Sequence, residues 1–291
     1  MRSSSITKIK GEIPSGEGLP IRYDLLVPTV VNSSSLPVIL FIHGFKGFKD
    51  WGAFPDACEE LVRSGFAVVA FNMSLSGVGK SLTEFDEPEL FRRETLTQDL
   101  EDVGSVIEAI KTKLISSDKV SLDTDRIGLV GHSRGGHSAV SAAAEYAEIQ
   151  CLVTWSAVAD YNARWSDQMK SDWEKGGTTE IVNSRTGQIL QLDKVVYDDA
   201  ISNADRLMAI KRVQELYIPS LFIAAKEDEA VSYQDSEQLF RKSPSEDKEI
   251  RLIAGTGHTF GISHPFEEKD YPEPFAEVID LTEGWFLEYL K

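Results

Sequence analysis

Apolar residues in this chain gather in short runs bounded by glycine or polar turns, with amphipathic stretches between them. The runs are Pro37 to His43, Phe66 to Phe71, Ile127 to Val130, Ile149 to Trp155, Ser220 to Ala225 and Glu249 to Ala254. Runs this short, rich in valine, isoleucine and leucine, suit strands covered on both faces. Ala53 to Arg63, Leu96 to Leu114, Gly136 to Ala147, Ser232 to Arg241 and Phe275 to Leu290 read as helices. In the second of these, Leu100, Val103, Val106, Ile107, Ile110 and Leu114 recur at helical spacing. Strands alternating with helices predict an α/β fold: a mostly parallel, twisted sheet of about eight strands with helices on both faces. The N-terminal part differs. Ile6 to Ile13 and Leu19 to Val27 alternate apolar and polar residues across a Gly-rich joint, which predicts an antiparallel hairpin at the edge of the sheet.

Between Trp155 and Ser220 the rhythm breaks, because the gap is too long for one crossover. Thr179 to Leu192 reads as two short strands around the turn-rich Asn183-Ser184-Arg185-Thr186-Gly187, with helical segments on either side. The expectation is a single domain over residues 1–291 carrying an inserted cap at about 161–212. Insertions of this length inside compact domains usually carry function.

Composition narrows the classes. The 291 residues are 42% hydrophobic and 26% charged, an ordinary globular mixture, but the net charge is −17. So acidic a surface argues against nucleic acid and against anionic membranes as partners. No apolar segment follows Met1-Arg2-Ser3-Ser4-Ser5, and no run approaches a membrane span, so a cytoplasmic location is expected. The two cysteines, Cys58 and Cys151, have no metal-ligand or C-x-x-C spacing and read as buried free thiols.

The chemistry starts at Gly131-His132-Ser133-Arg134-Gly135. The apolar Arg126-Ile127-Gly128-Leu129-Val130 precedes it and an Ala-rich helical stretch follows. A strand, a sharp turn at the serine and a helix lift Ser133 Oγ above the sheet, and the flanking glycines give the turn room. Such a serine needs a base, and the base needs an acid to orient it. Of the five histidines, His258 is the expected base, because it follows the last strand in a Gly-rich loop. His264 is its rival. His132 is expected to point away from the turn, and His137 to pack against the elbow. The acid should follow the strand ending at Ala225; Asp228 is chosen, with Glu227, Glu229 and Asp160 as alternatives. The backbone N–H groups of Arg134 and Phe45 are the expected oxyanion donors, since Gly44 lets the chain turn there after a strand. His43 is expected to hold that loop and is also a candidate substrate contact, as are Tyr161 and Trp165. With Trp173 and Tyr197, those aromatics could equally form the cap's own core. Ser76-Gly77-Val78-Gly79-Lys80-Ser81 ends like a nucleotide-binding loop, but Ser74 stands where that motif needs glycine, so it reads as a Gly-rich loop beside the site.

Taken in order, His43-Gly44-Phe45, Gly131 to Gly135, Asp228 and Gly257-His258 resemble the α/β-hydrolase superfamily over nearly the whole chain. The opening His43-Gly44-Phe45-Lys46-Gly47, the later Gly257-His258-Thr259-Phe260 and the hairpin-bearing cap are similar to cinnamoyl and feruloyl esterase-like members. Dienelactone-hydrolase-like proteins share much of the pattern but carry cysteine where this chain has Ser133. The resemblance implies a serine hydrolase of small to medium acyl or aryl esters, with no metal and no cofactor. The same residues would serve a peptidase or thioesterase, and the fold alone would serve a binding protein. A carboxylate-nucleophile hydrolase is excluded by Ser133.

Overall fold

The computed structural model describes residues 5–30, 33 and 35–291. Ten strands form: β1 (Ile6–Pro14), β2 (Pro20–Pro28), β3 (Ser35–Ile42), β4 (Ala67–Phe71), β5 (Ser121–His132), β6 (Ile149–Trp155), β7 (Thr178–Val182), β8 (Ile189–Asp193), β9 (Ser220–Ala225) and β10 (Lys248–Ile253). Eight of them make one sheet in the order β1-β2-β4-β3-β5-β6-β9-β10, and β7 and β8 make a separate antiparallel pair. From β4 to β10 every neighbouring pair is parallel. β2 runs antiparallel to both β1 and β4, so the predicted N-terminal hairpin forms the sheet's edge.

The central runs, β3, β4 and β9, are buried along nearly their whole length because their two faces enter different cores, whereas β10, at the far edge, is only partly buried. In β3, Val38, Leu40 and Ile42 join one hydrophobic cluster while Ile39 and Phe41 join the other. β4 splits in the same way, Ala67, Val69 and Phe71 against Val68 and Ala70. This is the period-two alternation of a strand with no solvent face. Helices Leu96–Lys111, Arg134–Glu145 and Tyr233–Lys242 supply buried residues to the first cluster. Helices Phe54–Arg63 and Glu273–Tyr289 supply the second.

β3 lies between β4 and β5. The chain leaves β3 for β4 on one side and later returns to build β5 on the other, so the strand order reverses there. The loops leaving the carboxyl ends of β3 and β5 diverge at such a point and open a crevice between them.

The 64 residues between Trp155 and Ser220 far exceed the dozen or so that a parallel crossover needs. They form helices Asp167–Gly176 and Lys194–Ser202, with the β7–β8 hairpin between. Their core is aromatic. Trp165 meets the rings of Tyr161, Trp173 and Tyr197 at centroid distances of 5.2, 5.4 and 6.2 Å. The Trp173 indole N–H donates to Leu192 O at 2.9 Å, fastening the helix to β8. Arg92 grips Asp193 at the end of β8 with Nε at 3.0 Å and Nη2 at 2.8 Å, and so ties the segment to the sheet-bearing part. Among the described residues, no helix is long and apolar enough to cross a membrane.

Candidate active site

Ser133 joins β5 to helix Arg134–Glu145 with φ 57° and ψ −119°. That conformation is strained for an L-residue. It is held from both sides: Ser133 N–H donates to Trp155 O at 2.8 Å, and Ser133 O accepts from His137 N–H at 3.1 Å. The flanking glycines are obligatory here. A Cβ at Gly135 would stand 2.3 Å from His43 O, and one at Gly131 would stand 2.2 Å from Gly135 O. Both obstructions are backbone, which cannot step aside.

The loop after β3 runs directly past the serine, since a Cβ at Gly44 would stand 3.0 Å from Ser133 Cβ. His43 holds this loop from behind. Its ring is buried, with Nδ1 2.9 Å from Gly44 O and Nε2 accepting from Met73 N–H at 3.2 Å. Arg134 opens the helix, so its backbone N–H is one of the first-turn donors without an intrahelical acceptor. Its guanidinium turns inward, between the rings of Phe45 (5.6 Å) and Tyr161 (5.3 Å), and donates to Asp99 Oδ2 and Glu94 O, each at 2.8 Å. Burial pushes the Glu94 carboxyl well above the ordinary carboxylate range, against the pull of Arg134.

His258 follows β10. Its Nδ1 lies 2.7 Å from Asp228 Oδ2. With Nδ1–H donated to the carboxylate, Nε2 is the basic nitrogen. The Asp228 side chain is wholly buried, and its other oxygen accepts from the N–H groups of Ala230 and Val231, both at 2.8 Å. Burial raises the Asp228 pKa, but the His258 hydrogen bond and charge and these two N–H groups outweigh it, leaving it below the usual value. Two of the three alternative acids are engaged elsewhere, and Glu229 is exposed. Glu227 Oε2 accepts from Gly255 N–H (2.8 Å) and Thr256 N–H (3.2 Å), bracing the His258 loop, and Asp160 Oδ1 accepts from Asn162 N–H at 3.0 Å.

Ser133 and His258 line one cavity of about 410 Å³. Gly44, Phe45, Trp51 and Phe54 form part of its wall, and Asn183, Ser184 and Arg185, at the tip of the β7–β8 hairpin, cover it. His43, Tyr161 and Trp165 are not among its walls. All three are buried, His43 behind the loop and the two aromatics in the core of the segment between β6 and β9. The tract Ser76 to Ser81 is also elsewhere; Asp86 accepts from Gly79 N–H (2.6 Å) and Ser81 N–H (3.2 Å), closing the loop on itself.

His132 corrects the sequence expectation. Its ring faces the cavity, 4.6 Å from that of His258, with Nε2 3.0 Å from His258 O. Burial, and then the neighbouring His258, lower its pKa to about 3, so it stays neutral and donates Nε2–H to that carbonyl. Period-two alternation held the signal: His132 is two residues past Val130 and shares its face, where Phe54 also packs at 5.4 Å. His264, the rival base, is a wall residue whose Nδ1 accepts from Gly52 N–H at 2.9 Å. His137 packs as expected, its Nδ1 3.0 Å from Val158 O and its ring 5.6 Å from that of Tyr161.

Known proteins share this chain's family and fold. The sequence matches the model of the Alpha/beta hydrolase family over residues 39–278. A 31.7 kDa protein from the traX-finO intergenic region of Escherichia coli is 34% identical over 125 residues, which are 43% of this chain and 38% of that protein. The chain therefore spans well under half the length of that relative. Among solved structures, ferulic acid-bound Est1E from Butyrivibrio proteoclasticus superposes with a TM-score of 0.72 at 22% identity, covering 96% of this chain and 98% of that one. Dienelactone hydrolase from Anabaena variabilis ATCC 29413 gives 0.60 at 19%, covering 98% and 99%. At these identities the likeness shows the shared fold.

Proposed function

The chain belongs to the alpha/beta hydrolase family, and from that premise we propose that it is a serine hydrolase of small to medium carboxylic esters, aryl esters included. One observation carries the reading. Ser133 and His258 share a cavity, and the far ring nitrogen of His258 is held at 2.7 Å by the buried carboxylate of Asp228. That is the division of labour a nucleophile, its base and the base's orienting acid require.

In this mechanism Ser133 Oγ attacks the ester carbonyl while His258 Nε2 takes its proton. Asp228 stabilises the resulting imidazolium without itself being protonated. The carbonyl π electrons move onto oxygen, where the N–H groups of Phe45 and Arg134 receive them. Collapse of the adduct expels the alcohol, protonated by His258, and leaves an acyl-serine. Water, deprotonated by the same nitrogen, then releases the acid. His132 would act as a positioning residue, because its hydrogen bond to His258 O fixes the backbone from which the base projects. Est1E, solved with ferulic acid bound, supports the substrate class by analogy, as does a cavity of the size that takes small ligands.

Turnover of p-nitrophenyl esters of rising acyl length tests this, with Ser133→Ala alongside. We expect Ser133→Ala to lose about 10⁴-fold or more in kcat and to escape labelling by a serine-directed fluorophosphonate. A Ser133→Ala enzyme with near-wild-type turnover would overturn the proposal.

A further inference from the structure

The cavity wall carries a charge pattern opposite to that of the molecule. The chain's net charge is −17, yet Lys46, Arg185, His132, His258 and His264 all line the cavity and no aspartate or glutamate does, among the described residues. Two of the three histidines have clear structural duties at the serine end. Lys46 and His264 line the cavity beneath the β7–β8 hairpin, whose tip carries Arg185. Lys46 Nζ donates to Val182 O, at the end of β7, at 3.2 Å, and forms no ion pair among the described residues. The Arg185 guanidinium lies 5.9 Å from the centre of the Phe48 ring, and the same ring receives His264 edge-on at 5.0 Å. Arg185 donates to Thr83 O at 3.0 Å, and only marginally, at 3.5 Å, to Glu84, whose side chain is 55% exposed. A guanidinium has five N–H donors, so several remain. His264 accepts at Nδ1 from Gly52 N–H, so its Nε2 carries a proton and is a further donor. Burial lowers the Lys46 pKa, the sign of an ammonium short of both water and counter-charge.

Lys46 is half-removed from water with no ion-pair partner among the described residues, and Arg185 has only the exposed Glu84 at 3.5 Å, so their desolvation is offset in small part. An anion arriving with the substrate would offset the rest. We propose that the cavity selects esters bearing a carboxylate away from the scissile carbonyl, received by Arg185 and Lys46 with His264 as a neutral donor. This rests on the ester reading for its reaction but not for its binding. The distant negative surface does not forbid it, because charges more than about 8 Å apart across water are largely screened at physiological ionic strength. Charge-assisted hydrogen bonds to a guanidinium persist at contact distance.

Two measurements separate the proposals. The first is calorimetric binding of 4-phenylbutyrate and of its neutral amide, 4-phenylbutyramide, to the unmodified protein, to Arg185→Met and to Lys46→Met. We expect the carboxylate to bind about tenfold or more tighter than the amide, the advantage shrinking in each variant and at raised salt. Equal binding of the two, or binding of neither, would overturn the carboxylate proposal whatever the enzyme hydrolyses. The second is the ratio of kcat/KM for two matched pairs: mono-p-nitrophenyl adipate against p-nitrophenyl hexanoate, and 4-acetoxybenzoate against 4-methylphenyl acetate. They place the charge on the acyl and the alcohol side respectively. The charged member of one pair should be favoured, and Arg185→Met should reduce that ratio about tenfold to a hundredfold. Arg241→Met, which removes an exposed charge from helix Tyr233–Lys242, should leave it unmoved. A fall with Arg241→Met as large as with Arg185→Met, or neutral esters preferred in both pairs, would refute selection by these residues. Carboxylate binding without ester turnover would refute the esterase reading alone.

Discussion

Asp228 shows how much one side chain can be asked to do. One oxygen is committed to the His258 ring and the other to two backbone N–H groups that fold its own loop. The proposed catalysis and the local structure therefore share one carboxylate, and the pH behaviour should carry its signature. Its folded pKa is depressed below its ordinary value. Its contribution to stability is thus present above about pH 4 and is lost as pH falls through the folded value. We expect Asp228→Asn to lower kcat by about 10²- to 10⁴-fold at neutral pH, because the imidazole loses both its orientation and the charge that stabilises imidazolium. In urea titrations, the stability gap between wild type and variant should be wider at pH 7 than at a pH well below 4. A gap of equal size at both would remove the charge from this account. Arg134 couples two further pieces in a similar way: its guanidinium stacks on Phe45, whose N–H is the proposed second oxyanion donor, while its own N–H is the first.

Among elements, the strand–turn–helix at Ser133 depends on the backbone of β3 passing within a hydrogen's width of Gly135. We expect Gly135→Ala to cost about 3 kcal/mol by chemical denaturation, the upper end of what overpacking does. Turnover in the folded fraction should fall further still, because the displaced backbone is that of the Gly44–Phe45 loop. A neutral substitution would contradict the close approach. This element was legible in the sequence because glycine positions, apolar runs and an Ala-rich helix are local signals. His258 and Asp228 were legible for a related reason, each following a recognisable strand. Tyr161 and Trp165 were not, since a ring beside a cavity and a ring inside a small core have the same local sequence; only the packing of Trp173 and Tyr197 on Trp165, and of Trp165 on Tyr161, decides it. The role of the hairpin tip was equally hidden. Asn183 to Gly187 announces a turn but not what the turn covers, which depends on where a segment of some fifty residues comes to rest.

On the scale of the whole molecule, the proposed reactive and selective halves of the site belong to different kinds of backbone. The amide of Ser133 is bonded into the centre of the sheet through Trp155 O, with β3 and β6 on either side of β5. The hairpin tip is largely exposed, and its backbone bonds, such as Gly187 N–H to Asn183 O at 2.8 Å, close on the hairpin itself, while side chains such as Arg185, on Thr83 O, reach beyond it. Opening the first means parting the sheet; opening the second does not. In native-state hydrogen exchange the Ser133 amide should therefore be replaced by deuterium only through global unfolding, while residues 184–187 exchange orders of magnitude faster through local opening. Matched rates at the two places would mean the covering segment is as firmly folded as the sheet. With unmatched rates, the surface proposed to recognise a substrate can breathe, and can change its sequence, while the proposed nucleophile keeps its place.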